Sequence, residues 1–353
     1  MILAPILLRY KMEMTDCSIE AFGNGLINHT WKIRYKEHHY ILQRINDKIF
    51  KHPEYIDENI NAIGKYLNEH HPDYLFVLPI SDAKHQTLII TENNEYFRML
   101  PFIADSVSFD VVKSPILAYR AAQQFGKFTR LLSAFPKNTL KTTITNFHNL
   151  TLRYQQFEEA IHHGNPTRIH AAQSLIDELM EYAFIAEKFI QIENDSSFKK
   201  RITHHDTKIS NILFNQEEKA LCVIDLDTVM PGYFISDLGD MIRTYVCPVN
   251  EEEIDFSKIL IRDDYFKSIV EGYLHEMKFE LTSNELNHFV YAGQFMIYMQ
   301  AIRFLTDYLN NDQYYGAKYE EHNLNRAMNQ TVLLRLLNEK EQTLNALVAD
   351  CIQ

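Results

Sequence analysis

HHDTKISNILFNQEEKALCVIDLDTVMPGYFISDLGD, residues 204–240, is the stretch from which the rest of the chain can be read. Its first eight residues place His204, Asp206 and Asn211 as His-x-Asp-x-x-x-x-Asn. An apolar strand-like segment follows, then a polar turn at 215–219, then a second apolar run at 221–224 that delivers Asp225 and Asp227. A tight hairpin of this kind returns the chain to its starting point. It predicts Asp206, Asn211 and Asp225 at one end of two paired strands. There one carboxylate can accept a hydroxyl proton while an amide and a second carboxylate hold a divalent cation. Hard oxygen ligands suit magnesium. A cation held through few protein ligands keeps positions open for phosphate oxygens, as transfer from a nucleotide requires. A single Asp or Asn is more often a cap or turn residue. Five polar residues in fixed order around two apolar strands carry more weight than any one of them, while Glu217, Glu218 and Lys219 read as the solvated turn.

Upstream of this block, the first hundred residues read as short strands with one helix. The runs 30–34, 40–45, 75–78, 87–90 and 96–100 are short, rich in aromatic and β-branched residues, and bounded by turn formers. They predict an antiparallel sheet. Between the second and third lies 53–67, with Ile56, Ile60, Ile63 and Leu67 at helical spacing and Pro53 near its start. From about 115 the period becomes helical, over 116–132, 150–161, 168–192, 263–275, 284–309 and 320–347. The expected fold class is α+β: a small antiparallel-sheet lobe at 1–103 with an inserted helix, then a large, mainly helical lobe at 104–353, the two sharing a cleft.

Composition narrows the function. The 353 residues are 46% apolar and 23% charged, within the range of folded chains. Lys and Arg total 35 against 47 acids, a formal net charge of −12, which repels a nucleic-acid backbone and an anionic membrane surface. No run approaches the ~20 apolar residues of a membrane span. The apolar N-terminal segment MILAPILLRYK has no basic residues ahead of it and no small-residue cleavage site. Cys17, Cys222, Cys247 and Cys351 lie far apart, as reduced thiols do. Together these point to the cytoplasm, with no nucleic acid, no membrane and no obligatory protein partner implied. Glycine is scarce, at 10 residues, under half the usual ~7%, so each one is expected where a side chain cannot be tolerated.

Two further regions carry candidate binding residues. Phe22-Gly23-Asn24-Gly25 precedes a strand expected at 26–33, where bare backbone can lie over phosphates, although Asn28 replaces the third glycine of GxGxxG. The P-loop pattern GxxxxGK[ST] is absent. Near the C-terminus, Arg303, Asp307, Tyr314 and Tyr315 combine a cationic donor, an acceptor and aromatic faces, a mix that suits a polyhydroxylated ring with an N-acetyl group better than a cation. Tyr298 and Tyr308 read as packing.

HxDxxxxN followed by IDxD resembles the pattern of the aminoglycoside phosphotransferase and choline kinase group, small-molecule kinases with a protein-kinase-like two-lobe fold. GxGLIN-x-T at 23–30, YILQRIN at 40–46, NFHNLTLR at 146–153, IDLDTVMPGYFISDLGDMIR at 224–243 and RFLTDYLNNDQYYG at 303–316 sharpen the likeness. Over nearly the whole chain these segments are similar to the N-acetylhexosamine 1-kinases. The resemblance implies ATP and Mg2+ as cofactors, a small-molecule sugar as substrate, Asp206 as catalytic base, and Asn211 and Asp225 as magnesium ligands. Asp227 could assist the metal, orient Arg243 or anchor its loop, and His205 stands where relatives often carry Gly or Arg. For the nucleotide the resemblance implies Gly23, Asn24, Gly25, Arg44 paired with Glu58, and a hinge over 99–103 that includes Met99 and Phe102. For the sugar it implies Arg303, Tyr314 and Tyr315, with His148 and Arg153 divided between fold and substrate. The implied reaction is ATP-dependent phosphorylation of the anomeric hydroxyl of N-acetylhexosamines. The alternatives are a kinase of another small hydroxyl compound (aminoglycoside, choline or homoserine) and a non-catalytic nucleotide-binding module.

Overall fold

The computed structural model describes residues 3–23 and 27–353. Asn24 and Gly25 of the expected phosphate turn, with Leu26, lie outside the described residues. The chain forms two compact units: Met1–Val107 with Ala134–Thr145 and Leu213–Pro231, and Ser108–Ser133 with Asn146–Ile212 and Gly232–Gln353. Among the described residues no helix is long and apolar enough to cross a membrane.

The first unit is built on an antiparallel sheet of β1 (Cys17–Ala21), β2 (His29–Tyr35), β3 (His38–Ile45), β4 (Ile89–Ile90) and β5 (Tyr96–Pro101), in the order β1-β2-β3-β5-β4. The register sets His29 opposite Arg44 and Arg44 opposite Phe97. On one face, Ile33, Leu42, Phe97 and Met99 form an apolar cluster with Ile6 and Leu7 of α1 (Leu3–Arg9). α2 (Pro53–His70) starts on Pro53, whose missing N–H costs nothing in a first turn, and buries Ile56, Ile60, Ile63 and Leu67 as their spacing predicts. Asn59 on α2 is also buried. Its side chain donates to the carbonyls of Lys141 (2.9 Å) and Val229 (3.2 Å) and accepts from the Lys141 amide, so the two later segments of this unit are held to α2.

Three sequence expectations change here. Residues 75–78 are irregular rather than a strand: Pro72 and Pro79 bracket them, and proline cannot donate to a ladder. The stretch 87–90 is reduced to the two residues of β4. Both β1 and α1 were unforeseen.

The second unit is helical: α3 (Pro115–Leu131), α4 (Leu150–His163), α5 (Pro166–Ala171), α6 (Gln173–Glu181), α7 (Phe184–Asn194), α8 (Phe234–Tyr245), α9 (Asp263–Met277), α10 (Ser283–Leu286), α11 (Phe289–Leu309), α12 (His322–Glu339) and α13 (Glu341–Ile352). The expected helix 168–192 is divided into α5, α6 and α7, with no Pro or Gly at either break, and α8 was not foreseen. Two of the sparse glycines mark close backbone approach between helices. A Cβ on Gly239 of α8 would lie 2.2 Å from the Ala292 carbonyl of α11, and one on Gly272 of α9 would lie 2.2 Å from the Tyr119 carbonyl of α3. α11 is buried along almost its whole length and carries Arg303 and Asp307 near its C-terminal end.

Candidate active site

In the helical unit, the loop after the short strand Arg201–Thr203 carries Asp206. His205 in this loop has φ +65°, a conformation that favours glycine. That backbone sign gives a physical reason for the glycine often found at this position in the group the sequence resembles. The loop is pinned from below by α8. The Asp237 carboxylate accepts the amides of His204 (2.9 Å) and His205 (2.7 Å), and Asp240 accepts the amide of Thr207 (2.9 Å). Burial pushes the Asp237 carboxyl up to about 6. Asp240 also binds Arg243 at 3.0 Å, and Arg243 reaches Glu251 at 2.7 Å.

Asp206 itself is half-buried. Burial works against its charge, but the Lys208 ammonium 3.1 Å away and hydrogen bonds from Lys208 and Asn211 hold its carboxyl below the ordinary range. Asn211 donates from Nδ2 to both the carbonyl (2.9 Å) and the carboxylate (3.0 Å) of Asp206. Its amide oxygen therefore points the other way and fits a role as cation ligand.

The strands Ile212–Phe214 and Ala220–Val223 form the expected hairpin around the turn at 215–219, and from Leu213 onward this hairpin belongs to the sheet unit. Asp225 follows the return strand with φ +58°, exposed, in a left-handed conformation unusual for a residue with a side chain. An exposed carboxylate on so constrained a backbone suits a metal ligand. Asp227 is different. It is buried, with one oxygen 2.6 Å from Arg98 and the other accepting from Asn28 at 2.7 Å. Both oxygens are committed within the protein, so of the three roles open to Asp227 the contacts show the anchoring one. Arg98 is completed by Gln43, whose Oε1 accepts from Nε (2.9 Å) and Nη2 (2.8 Å).

Strand alternation corrects two of the nucleotide assignments. Arg44 lies on the face of β3 that carries Leu42, opposite to Gln43 and Arg98, and pairs with Glu95 at 2.9 Å. The expected partner Glu58 is exposed on α2. Met99 lies inside β5, fully buried in the α1 cluster, so the hinge can begin no earlier than Phe102. The Phe102 ring packs edge-on against Phe22, with centroids 6.2 Å apart, and lies under the Lys32 ammonium. Gly23 has φ +77°, a value that favours glycine.

The acceptor candidates meet in the helical unit. A cavity of about 1030 Å3 is lined by Arg153, Arg303, Asp307, Tyr314 and Tyr315 together with the polar groups Gln156, Glu159 and Asn311. Arg303 lies beneath the two tyrosine rings, 5.8 Å and 5.4 Å from their centroids. Asp307 is not available as a ligand acceptor. Its oxygens take the backbone amides of Tyr314 (2.7 Å) and Tyr315 (2.8 Å) and the Asn323 side chain (3.1 Å), which shapes the tyrosine loop. Tyr298 and Tyr308 are packing residues: Tyr298 is fully buried with its hydroxyl on the Leu179 carbonyl, and Tyr308 lies under Arg168. His148 stacks on Phe147 with its ring 5.3 Å from that of His205, and burial holds its imidazole well below the usual range.

The phosphotransferase enzyme family model matches residues 18–256, a span that takes in β1 through the loop beyond α8. The chain belongs to the phosphotransferase enzyme family. Solved structures agree on the fold. Spectinomycin phosphotransferase, in complex with ADP and spectinomycin, superposes with a TM-score of 0.62 at 13% identity, covering 97% of this chain and 98% of that one. An amicoumacin kinase in complex with AMP-PNP, Ca2+ and amicoumacin gives 0.61 at 13% identity, covering 97% and 92%. Choline kinase from Cryptosporidium parvum Iowa II gives 0.56 at 12% identity, covering 100% and 99%. The α+β architecture, a small antiparallel sheet with a large helical part, is thus the protein-kinase-like fold of small-molecule kinases.

Within that family fold, several supporting residues escaped the sequence reading. Arg98 had a signal: a lone charge between Phe97 and Met99 in an apolar strand must be exposed or paired. Lys208 lies two residues beyond Asp206, on which it acts. Asp237 and Asp240 are visible in the DLGD motif, but their task of holding backbone amides leaves no trace in spacing.

Proposed function

We propose that this phosphotransferase is an ATP-dependent kinase of N-acetylhexosamines that phosphorylates the anomeric hydroxyl, giving the sugar 1-phosphate and ADP. The observation that carries the reading is the Asp206 carboxylate, kept ionised by Lys208 and oriented by Asn211 on a loop fixed by α8. Asp206 would accept the hydrogen bond of the acceptor hydroxyl and take its proton late, since phosphoryl transfer demands little base strength. Asn211, through its amide oxygen, and Asp225 would hold magnesium, which when bound neutralises charge on the phosphates. Gly23, Asn24 and Gly25 are assigned to the phosphates, and Phe102 to the base.

The sugar assignment is supported by the cavity under Tyr314 and Tyr315, with Arg303 as donor to ring substituents. Cytoplasmic location completes the reading, in keeping with the supply of ATP.

The test is ADP release with magnesium and ATP against N-acetylglucosamine, N-acetylgalactosamine, glucose, choline and kanamycin, with Asp206→Asn as control. Turnover of an N-acetylhexosamine, with phosphorus NMR placing the phosphate on the anomeric oxygen, is the expected result. Preference for choline or kanamycin would overturn the acceptor assignment and leave the kinase reading standing.

A further inference from the structure

Among the described residues, four arginines are more than nine-tenths buried: Arg98, Arg201, Arg243 and Arg303. Three of them meet a carboxylate, Arg98 with Asp227 at 2.6 Å, Arg201 with Glu285 at 2.7 Å and Arg243 with Glu251 at 2.7 Å. Arg303 meets none. Its contacts are the Gln300 amide oxygen at 3.2 Å and the Tyr314 hydroxyl at 3.4 Å, long for a buried charge.

Arg153, half-buried, lines the same cavity and likewise meets no carboxylate among the described residues. It donates to Gln156 (3.0 Å) and to the Asn146 carbonyl (3.2 Å), while its Nε is buried with no hydrogen-bond partner. Burial and the neighbouring Arg303 lower its pKa, as two like charges facing one space should. Of the two carboxylates on the cavity wall, Asp307 is consumed by the backbone of the tyrosine loop and Glu159 is exposed. In a chain of net charge −12, two guanidiniums without a counter-ion in one cavity are a deliberate concentration of positive charge.

We infer that Arg153 and Arg303 form an anion subsite in the acceptor cavity, and that the preferred acceptor is an N-acetylhexosamine bearing an acidic substituent, a carboxylate or a sulfate ester, away from its anomeric hydroxyl. The inference rests on the sugar-kinase reading and names its substrate class. A guanidinium pairs with either group through two parallel hydrogen bonds, so the shared chemistry is an oxyanion on a ring substituent. A cavity of about 1030 Å3 is at the upper end of what small-molecule sites enclose and leaves space for such a substituent beside the ring.

The experiment compares N-acetylglucosamine with its 6-sulfate and its 3-O-lactyl ether as acceptors, using full-length enzyme, magnesium and ATP, alongside thermal shifts with the same three sugars without nucleotide. The expected result is a kcat/KM at least about tenfold higher for one acidic sugar, expressed in KM, with Arg153→Gln reducing the acidic-to-neutral ratio by about the same factor and Arg153→Lys retaining part of it. The sulfate and the lactyl carboxylate separate a tetrahedral from a planar preference. A neutral sugar that performs as well as both acidic ones, or an Arg153→Gln variant that lowers all three in proportion, would overturn the inference. If no sugar is turned over, the sugar-kinase reading fails and the thermal shifts decide the subsite separately. A midpoint raised by an acidic sugar in the wild type but not in Arg153→Gln sustains it, and no shift removes it.

Discussion

The side-chain amide of Asn28 donates to the Asp227 carboxylate at 2.7 Å, joining the entry to β2 to the segment that carries Asp225. The other end of the same amide accepts from the Asn46 backbone at 3.0 Å, so Asn28 is held at both ends. Asp227 is likewise held on its second oxygen by buried Arg98. Asn28→Asp would set two carboxylates against each other in a buried place. The expected outcome is a rise of about tenfold or more in the KM for MgATP and a lower thermal midpoint, since a broken buried hydrogen bond to a charge costs on the order of 1.5–3 kcal/mol. The exchange Asn28→Asp with Asp227→Asn re-forms an amide-to-carboxylate bond between the two positions but deprives Arg98 of its full counter-charge. It should therefore recover part of the loss, in calorimetric affinity for Mn2+-ADP as well as in turnover.

Asp206→Asn separates chemistry from binding. The amide keeps the size of the carboxylate and removes the proton acceptor, so kcat should fall by roughly 10²–10⁴, while affinity for ADP, measured calorimetrically, changes by less than about threefold. A fall in both would mean that Asp206 organises the loop more than it serves the reaction.

How far the sequence could be read depends on what kind of interaction fixed each feature. The hairpin, α2 and the long helices were legible because hydrophobic period and turn residues encode them locally. Asp206, Asn211 and Asp225 could be proposed from the sequence because their order along the chain is constrained by that hairpin. The Arg44 assignment was wrong by one residue of strand alternation: Gln43 and Arg44 face opposite sides, and only the register against β5 shows that the face shared with Arg98 is the one that meets Asp227. The role of Asp227 needed the pairing of residues 28, 98 and 227, which no local pattern contains. The unpaired state of Arg303 is a statement about missing neighbours, which no spacing can convey.

Glu251 gives a pH prediction. Burial alone would raise its carboxyl, but Arg243, and after it Arg326, hold it down to about 2 from 4.5. A carboxyl with a depressed folded pKa contributes stability that is fully present above 4.5 and is lost as pH falls from 4.5 toward 2. By linkage the contribution is roughly 3 kcal/mol. Urea midpoints of the wild type and Glu251→Gln should therefore differ most at pH 6–7, draw together below pH 4.5 and converge toward pH 2. A difference independent of pH would assign the loss to packing instead of charge.

The tyrosine loop supplies the last test. Asp307 accepts the amides of Tyr314 and Tyr315 on separate oxygens, so it shapes the loop without touching a ligand itself. Asp307→Asn leaves one oxygen for two donors and presents an N–H to the other amide, which loosens Tyr315 from its place against Phe304. The acceptor KM should rise by about tenfold, as expected for losing on the order of 1.4 kcal/mol of positioning, whereas the KM for ATP should stay within about twofold. Equal effects on both substrates would show that the loop supports the helical unit as a whole rather than the acceptor cavity.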